Sequence, residues 1–444
     1  MSQVYLHNGL VLPLEGAAVY DPGVVVFDGN RITYAGPAAG APPPAPDSEL
    51  FDCHDRIVLP GLVNAHTHTG MTYFRNLLED LPSADWFAYE LAAEQRLTRE
   101  DVYWAALLGA YEMMRQGITT IADRFSHMDV IADALAHAGL RAVIAPSLVD
   151  RDAAARQQQT LALLEQYGAD GEGLIHVGLG PVGPDTCSTE LLRWTRQQAD
   201  RHGALIFIHL AQSRQELAEI RRRGYDGAAR YLETIGLLGP DVVAAHCIYL
   251  DEDEVALLGA RRVRVAHCPI SNAKIEGRVA PILALAAAGA PVGLGTDCVA
   301  SNNSMDLFAE MKMAGVLHKV TAADPEVLPV SRLLALATRD AATILNLSDR
   351  VGSLAAGKRA DVITVQRAAA HLQPWHDPQA GLVYAARGLD VQEVWLDGQL
   401  RLRNGRLLAG DVAEAVDRAA AWAKRHGPGL FAKRKQTEEV STGK

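Results

Sequence analysis

Eight short apolar runs recur through the middle of the chain. They are IVLPGLVNAHTH (57–68), GITTIAD (117–123), RAVIAPSLVD (141–150), LIHVGLGPVGP (174–184), LIFIHLAQ (205–212), VVAAHCI (242–248), RVRVAHCP (262–269) and PVGLGTD (291–297). Each is nearly continuous in hydrophobic residues, the pattern of strands buried on both faces. Stretches of helical periodicity separate most of them. TREDVYWAALLGAYEMMRQG (98–117) is one, with Thr98 as expected N-cap and Gly117 as terminator. Strand alternating with helix implies parallel pairing, and eight such units imply an α/β fold closed into a (β/α)8 barrel of the TIM type.

The two ends of the chain read differently. Residues 1–36 alternate short β-rich runs with Gly, Asn and Asp turns, and a Pro/Ala/Gly-rich connector follows at 37–50. The same β pattern returns at 358–366 and 391–408. A small β-sandwich built from both ends is therefore expected, with boundaries at 1–56, 57–357 for the barrel, and 358–444. Part of the polar tail from about Gly427 is expected to be mobile.

In a barrel of this kind active sites lie at the C-terminal ends of the strands. The first run ends in His66-Thr67-His68, the fifth holds His209, the sixth His246 and the seventh His267, and the eighth ends in Asp297. His66 and His68 are two apart on a strand and share a face. With His209 and Asp297 they make a set of three nitrogens and one oxygen. That set suits a divalent zinc or iron ion with an open position for water.

Composition narrows the partners. The chain has 444 residues, 49% hydrophobic, with 42 Lys+Arg against 53 Asp+Glu and a net charge of −11. That surface repels phosphate backbones, so nucleic acid and anionic membranes are excluded as expected partners, and a small-molecule substrate is left. The five cysteines include no CxxC pair, which indicates neither a disulfide framework nor a structural zinc knuckle. The N-terminus does not read as a signal peptide, and no run is long enough for a membrane helix. A cytoplasmic protein is expected, and a homodimer is compatible with the sequence.

PGLVNAHTHTGM (60–71), GLGTD (293–297) and ASNNSMDLFAEMK (300–312) resemble the amidohydrolase superfamily. They most resemble its adenosylhomocysteine/methylthioadenosine deaminase and triazine hydrolase branch, and HCPISNAKIEGRVAPI (267–282) extends the likeness. The resemblance implies a metal-dependent barrel flanked by a β-sandwich, with hydrolysis at an electron-poor ring carbon. It implies His66, His68, His209 and Asp297 as ligands of one divalent ion, zinc first and iron or manganese as alternatives. It puts His246 over the attacking water, with Asp297 sharing in its deprotonation. Glu94 matches an acidic residue that binds ribose hydroxyls in those deaminases, and Arg156 weakly matches a second arginine of theirs. Trp86 and Met71 are candidate walls of the pocket.

The chain departs from that pattern at informative places. Those deaminases carry a glutamate three residues after the strand-five histidine, where this chain has Gln212. A glutamine exchanges hydrogen bonds but no proton at neutral pH. An arginine and a histidine that contact the nucleoside are replaced by Pro146 and Val182. The expected activity is hydrolysis of an amino- or halo-substituted N-heterocycle through a metal-activated water. The alternatives are cleavage of a different C–N bond, of urea or amide type, and a metal-binding barrel with little activity. His246 or Glu216 could supply the missing acid, although Glu216 also reads as a solvated helix residue.

Overall fold

The computed structural model describes residues 3–169 and 172–441. From the N-terminus come β1 (Val4–Val11), β2 (Tyr20–Asp28), β3 (Arg31–Pro37), β4 (Glu49–Asp52) and β5 (Arg56–Pro60). The middle of the chain supplies β6 (Leu62–Thr67), β7 (Ile118–Phe125), β8 (Arg141–Leu148), β9 (Ile175–Val177), β10 (Gly180–Pro181), β11 (Ile206–Leu210), β12 (Val242–His246), β13 (Arg264–His267) and β14 (Val292–Leu294). The C-terminal part adds β15 (Val362–Gln366), β16 (Val391–Leu396), β17 (Gln399–Arg403) and β18 (Arg406–Leu407).

Both chain ends enter one nine-stranded sheet, ordered β18-β17-β16-β15-β5-β1-β2-β3 with β4 on β1. The seam is the antiparallel pair of β5 and β15, with Leu59 opposite Ile363. Trp395 on β16 packs edge-on against Phe27 at 6.0 Å and Phe51 at 4.9 Å between ring centroids. Its apolar cluster draws on Val4, Leu6, Val25, Ile32, Val58 and Val362. Deleting residues 1–50 removes β1, β2 and β3 and bares this cluster. The truncated protein is expected to be insoluble or to melt well below the full chain. A soluble product with an unchanged Tm would show that the ends fold independently.

The middle strands pair in parallel, β6-β7-β8 with β9 and β10 in one sheet and β11-β12-β13-β14 in another. Two isolated parallel bridges, Thr67 to Asp297 and Leu179 to Ile206, link the two sheets at both edges. Helices connect the strands. Arg99–Arg115 starts at Thr98, whose hydroxyl accepts from the Asp101 amide while the Asp101 side chain accepts from the Thr98 amide. It ends before Gly117, whose φ is +82°.

Two runs that look continuous are broken. The run 57–68 is divided at Gly61 into β5, in the terminal sheet, and β6, in the parallel sheet. A Cβ at Gly61 would lie 2.1 Å from the Thr119 hydroxyl, so only glycine lets the chain cross there. The run 174–184 is divided at Gly178, where a Cβ would come within 2.7 Å of the Phe207 ring. The tail beyond Gly427 continues a helix, Val412–Ser441, and the last three residues of the notional tail lie outside the described part. Among the described residues no helix is long and apolar enough to cross a membrane.

Candidate active site

The ends of β6 and β14 are locked together. The Asp297 amide donates to the His66 carbonyl at 3.0 Å, and the Thr67 hydroxyl donates to the Asp297 carbonyl at 3.1 Å. One step inward, Asn64 and Thr296 exchange two hydrogen bonds, of 2.8 and 3.0 Å. Asp297 therefore sits beside the HxH pair. Parallel pairing of β11 and β12 sets Leu210 beside His246 and brings His209 and His246 to the same mouth. His246 and Asp297 both adopt left-handed φ, +73° and +57°. Such conformations are costly for side-chain-bearing residues and concentrate at functional sites.

Four imidazoles and one carboxylate meet there. Ring centroids of His66 lie 4.7 Å from His68, 5.1 Å from His209 and 5.7 Å from His246. Asp297 Oδ1 is 3.5 Å from His66 Nε2 and 3.2 Å from His68 Nε2. Ligand atoms of His66, His68 and His209, and of His66, His246 and Asp297, lie within 4.8 Å of one another in each trio.

The protonation states follow from the neighbours. His68 Nδ1 faces the Arg124 carbonyl oxygen, which can only accept, so Nδ1 carries a proton and Nε2 is the nitrogen turned to the centre. His209 Nε2 is 3.5 Å from Arg124 Nη2, which can only donate, so this Nε2 presents a lone pair. His246 Nδ1 donates to Asn272 Oδ1 at 2.8 Å, leaving its Nε2 free. His66 Nε2 is buried without a hydrogen-bond partner. Burial pushes His66 down to about 3 and His209 and His246 downward, so these rings are neutral. Burial alone would raise Asp297, but its contacts with His66 and His68 hold it well below the usual carboxylate range. Neutral imidazoles and an ionised carboxylate are the states in which these groups bind a metal. Converging acceptors in a buried space fit a cation between them.

Asp297 is oriented from its other side. Its Oδ2 accepts from Ser271 Oγ at 2.6 Å and Ser301 Oγ at 2.8 Å, which leaves Oδ1 for the centre. The centre opens into a cavity of about 720 Å³. Trp86, Glu94, Val182 and Gln212 all line it, as do Met71 and Arg156. Glu94 is already engaged, accepting from Ser126 Oγ at 2.6 Å.

Two sequence readings need correction. Glu216 is not a solvated helix residue, being only 1% exposed, and it is not a spare acid for the site. Its oxygens accept from the backbone amides of Ala211 and Gln212 at 2.7 and 2.8 Å, fixing the turn that follows His209. Burial pushes its carboxyl up to about 8, with Asp185 adding to the rise and the two amides opposing it. His267 ends its strand as expected but turns towards His318, 3.2 Å away between Nε2 atoms.

Other site residues escaped the sequence reading. Ser271 and Asn272 lie on the short helix Pro269–Glu276, inside the stretch 267–282, whose family likeness assigned them no role. Glu90 lies one turn before Glu94 on the helix Ser83–Glu94. Arg124 is on β7, one residue past the point where the apolar run stops. A charged residue directly continuing a buried run was the available signal.

A parallel α/β scaffold carrying a His/Asp metal cluster at its strand ends defines a metal-dependent hydrolase. The chain belongs to the amidohydrolase family, whose model matches residues 57–401. It is 38% identical over 417 residues to the 5-methylthioadenosine/S-adenosylhomocysteine deaminase of Moorella thermoacetica, covering 93% of this chain and 97% of that protein. It is 35% identical to the 5'-deoxyadenosine deaminase of Methanopyrus kandleri, over 92% of this chain and 95% of the relative. Among solved structures, the zinc-bound adenosine deaminase of Xanthomonas campestris superposes with a TM-score of 0.91 at 31% identity, over 96% of this chain and 98% of that one. The zinc complex of atrazine chlorohydrolase from Arthrobacter aurescens TC1 has a TM-score of 0.86 at 24% identity, over 94% and 99%, a likeness of fold.

Proposed function

We propose that this enzyme holds a single zinc ion through His66, His68, His209 and Asp297, and hydrolyses an electron-poor carbon of an amino- or halo-substituted N-heterocycle. The observation that carries the reading is the convergence of the His66, His68 and His209 ligand atoms within 4.8 Å of one another, with Asp297 Oδ1 3.5 and 3.2 Å from His66 and His68 Nε2. A zinc ion held there would supply Lewis acidity and lower the pKa of a nearby water towards neutrality. His246, whose Nε2 is free, and Asp297 are the groups that would accept a proton from that water and orient it towards the ring carbon. The overall change is ring C–X plus water to ring C–OH plus HX, with X an amino group or chloride. Trp86 and Val182 wall the ring, and Glu94 is the acceptor for a polar substituent. Gln212 positions the substrate by hydrogen bonds and moves no proton.

The two bridged parallel sheets read as one closed (β/α)8 barrel. Residues 57–357 then form the hydrolase unit, and 1–56 with 358–444 the flanking sandwich, the crossing falling at Gly61. A second reading rests on Gln212. Without a proton donor there, the scissile bond is a C–N bond of urea or amide type.

The test is a metal analysis followed by a screen of aminopurines, pterins, triazines and ureas, with detection of ammonia and chloride. About one zinc per chain and turnover of a ring compound are expected. Turnover of ureas alone would establish the second reading, and a protein purified without chelator that carries no zinc, iron or manganese would refute both.

A further inference from the structure

Two arginines among the most buried groups of this chain are treated differently. Arg141 is paired, with Nε 3.3 Å from Asp361 and Nη2 3.2 Å from Asp397. Arg124 is 9% exposed and lines the site cavity. Its Nη1 donates to Ser147 Oγ at 2.7 Å, and its Nη2 points to His209 Nε2 at 3.5 Å. Its Nε is buried with no hydrogen-bond partner, and among the described residues no carboxylate pairs with it. An unpaired buried cation is costly. Charge that is left unpaired in a cavity wall is best explained by a ligand that completes it.

Carboxylates surround Arg124, but none is paired with it. Asp297 faces the histidine cluster and carries two serine hydroxyls. Glu94 opposes the guanidinium charge most strongly from across the shared cavity, yet its hydrogen bond comes from Ser126. Glu90, pushed up to about 8 by burial and by Glu94, is mostly protonated at neutral pH and supplies no full counter-charge. Gln212, across the same cavity, brings a neutral amide where a carboxylate would have offset the guanidinium.

We propose that Arg124 is a substrate-binding residue that selects heterocycles presenting an anionic oxygen, either the enolate of an acidic ring lactam or a ring carboxylate. The inference rests on the proposed hydrolase reading and names the substrate class for that cavity. The guanidinium is held through Nη1 by Ser147 and lines the cavity, where its planar, permanently charged donor face suits such an oxygen. A neutral aminopurine satisfies neither the charge nor the fork.

The test is titration calorimetry at pH 8 on wild type, Arg124→Met and Arg124→Lys, each metal-loaded and metal-stripped. The probes are cyanurate as the enolate source, orotate as the carboxylate source and cytosine as the neutral ring. Wild type should bind one of the two anions at least about tenfold more tightly than cytosine, and the metal-stripped protein should keep that preference. Arg124→Met should weaken the anion about 30-fold or more, the scale of a truncated buried charge pair. Cytosine binding should move less than threefold (about), and Arg124→Lys should restore part of the loss. Preference for cyanurate identifies the enolate, and preference for orotate the carboxylate. Anion binding unaffected in both variants, or a wild type that prefers cytosine or binds neither anion, would overturn the proposal. Metal analysis of the same samples separates the two claims. Anion selectivity in a protein that takes up no metal removes the hydrolase reading and leaves Arg124 standing. Stoichiometric metal without anion selectivity does the reverse.

Discussion

Replacing His66 by alanine is expected to cost at least about 100-fold in metal affinity and in turnover, since removing a partner that merely orients a ligand already costs 10–100-fold. His66 is the most central of the converging groups. It lies next to the rings of His68, His209 and His246, and its Nε2 has no hydrogen-bond partner of its own. Stability offers a second, independent readout. Anything bound to the folded state alone stabilises it in proportion to RT ln(1 + [L]/Kd). Loaded wild type should therefore melt above chelator-treated wild type, and His66→Ala should melt near the chelator-treated form whether or not metal is present. A histidine that served only packing would instead lower Tm equally in both conditions. Full metal content and activity in His66→Ala would sink the ligand assignment.

The centre was legible in the sequence because its chemistry falls at the ends of apolar runs. His66, His68, His209, His246 and Asp297 need only parallel pairing to converge, and the runs themselves imply that pairing. What supports those residues was less visible. Ser271 and Ser301 reach Asp297 from helices of eight and four residues, too short to announce a face by periodicity. Glu216 looks like an exposed helix residue because nothing local says that its side chain folds back on the amides of Ala211 and Gln212. Burial of that kind is a tertiary property. Arg124 shows the same limit, since it reads as the polar end of a strand until Ser147 and His209 are placed around it. The left-handed backbone of His246 and Asp297 carries no glycine to mark it. The division at Gly61 belongs to the same class, because the glycine is visible but the Thr119 side chain that requires it is not.

Restoring a carboxylate with Gln212→Glu is expected to raise deamination of neutral aminopurines by about 10²–10⁴-fold, the usual range for general acid–base assistance. The substitution changes one atom type and leaves the scaffold alone, because the backbone amide of Gln212 is held by Glu216 at 2.8 Å and its side chain lines the open cavity. Metal content should not change, since the proposed ligands are His66, His68, His209 and Asp297, and Gln212 lines the adjoining cavity. Two further consequences separate a proton-transfer role from simple repacking. A new titrating group should add an ionisation to the pH dependence of turnover that wild type lacks. The introduced charge also shares the cavity with Arg124, so it should weaken binding of anionic rings while deamination of neutral ones rises. The two changes have opposite signs on the two substrate classes, which a general loss of structure cannot produce. An efficient aminopurine deaminase in the wild type, with no gain from Gln212→Glu, would mean that His246 already moves that proton. Gln212→Ala then measures what the amide does. A loss of more than about tenfold, on the order of 1.4 kcal/mol, would assign it a share of substrate binding.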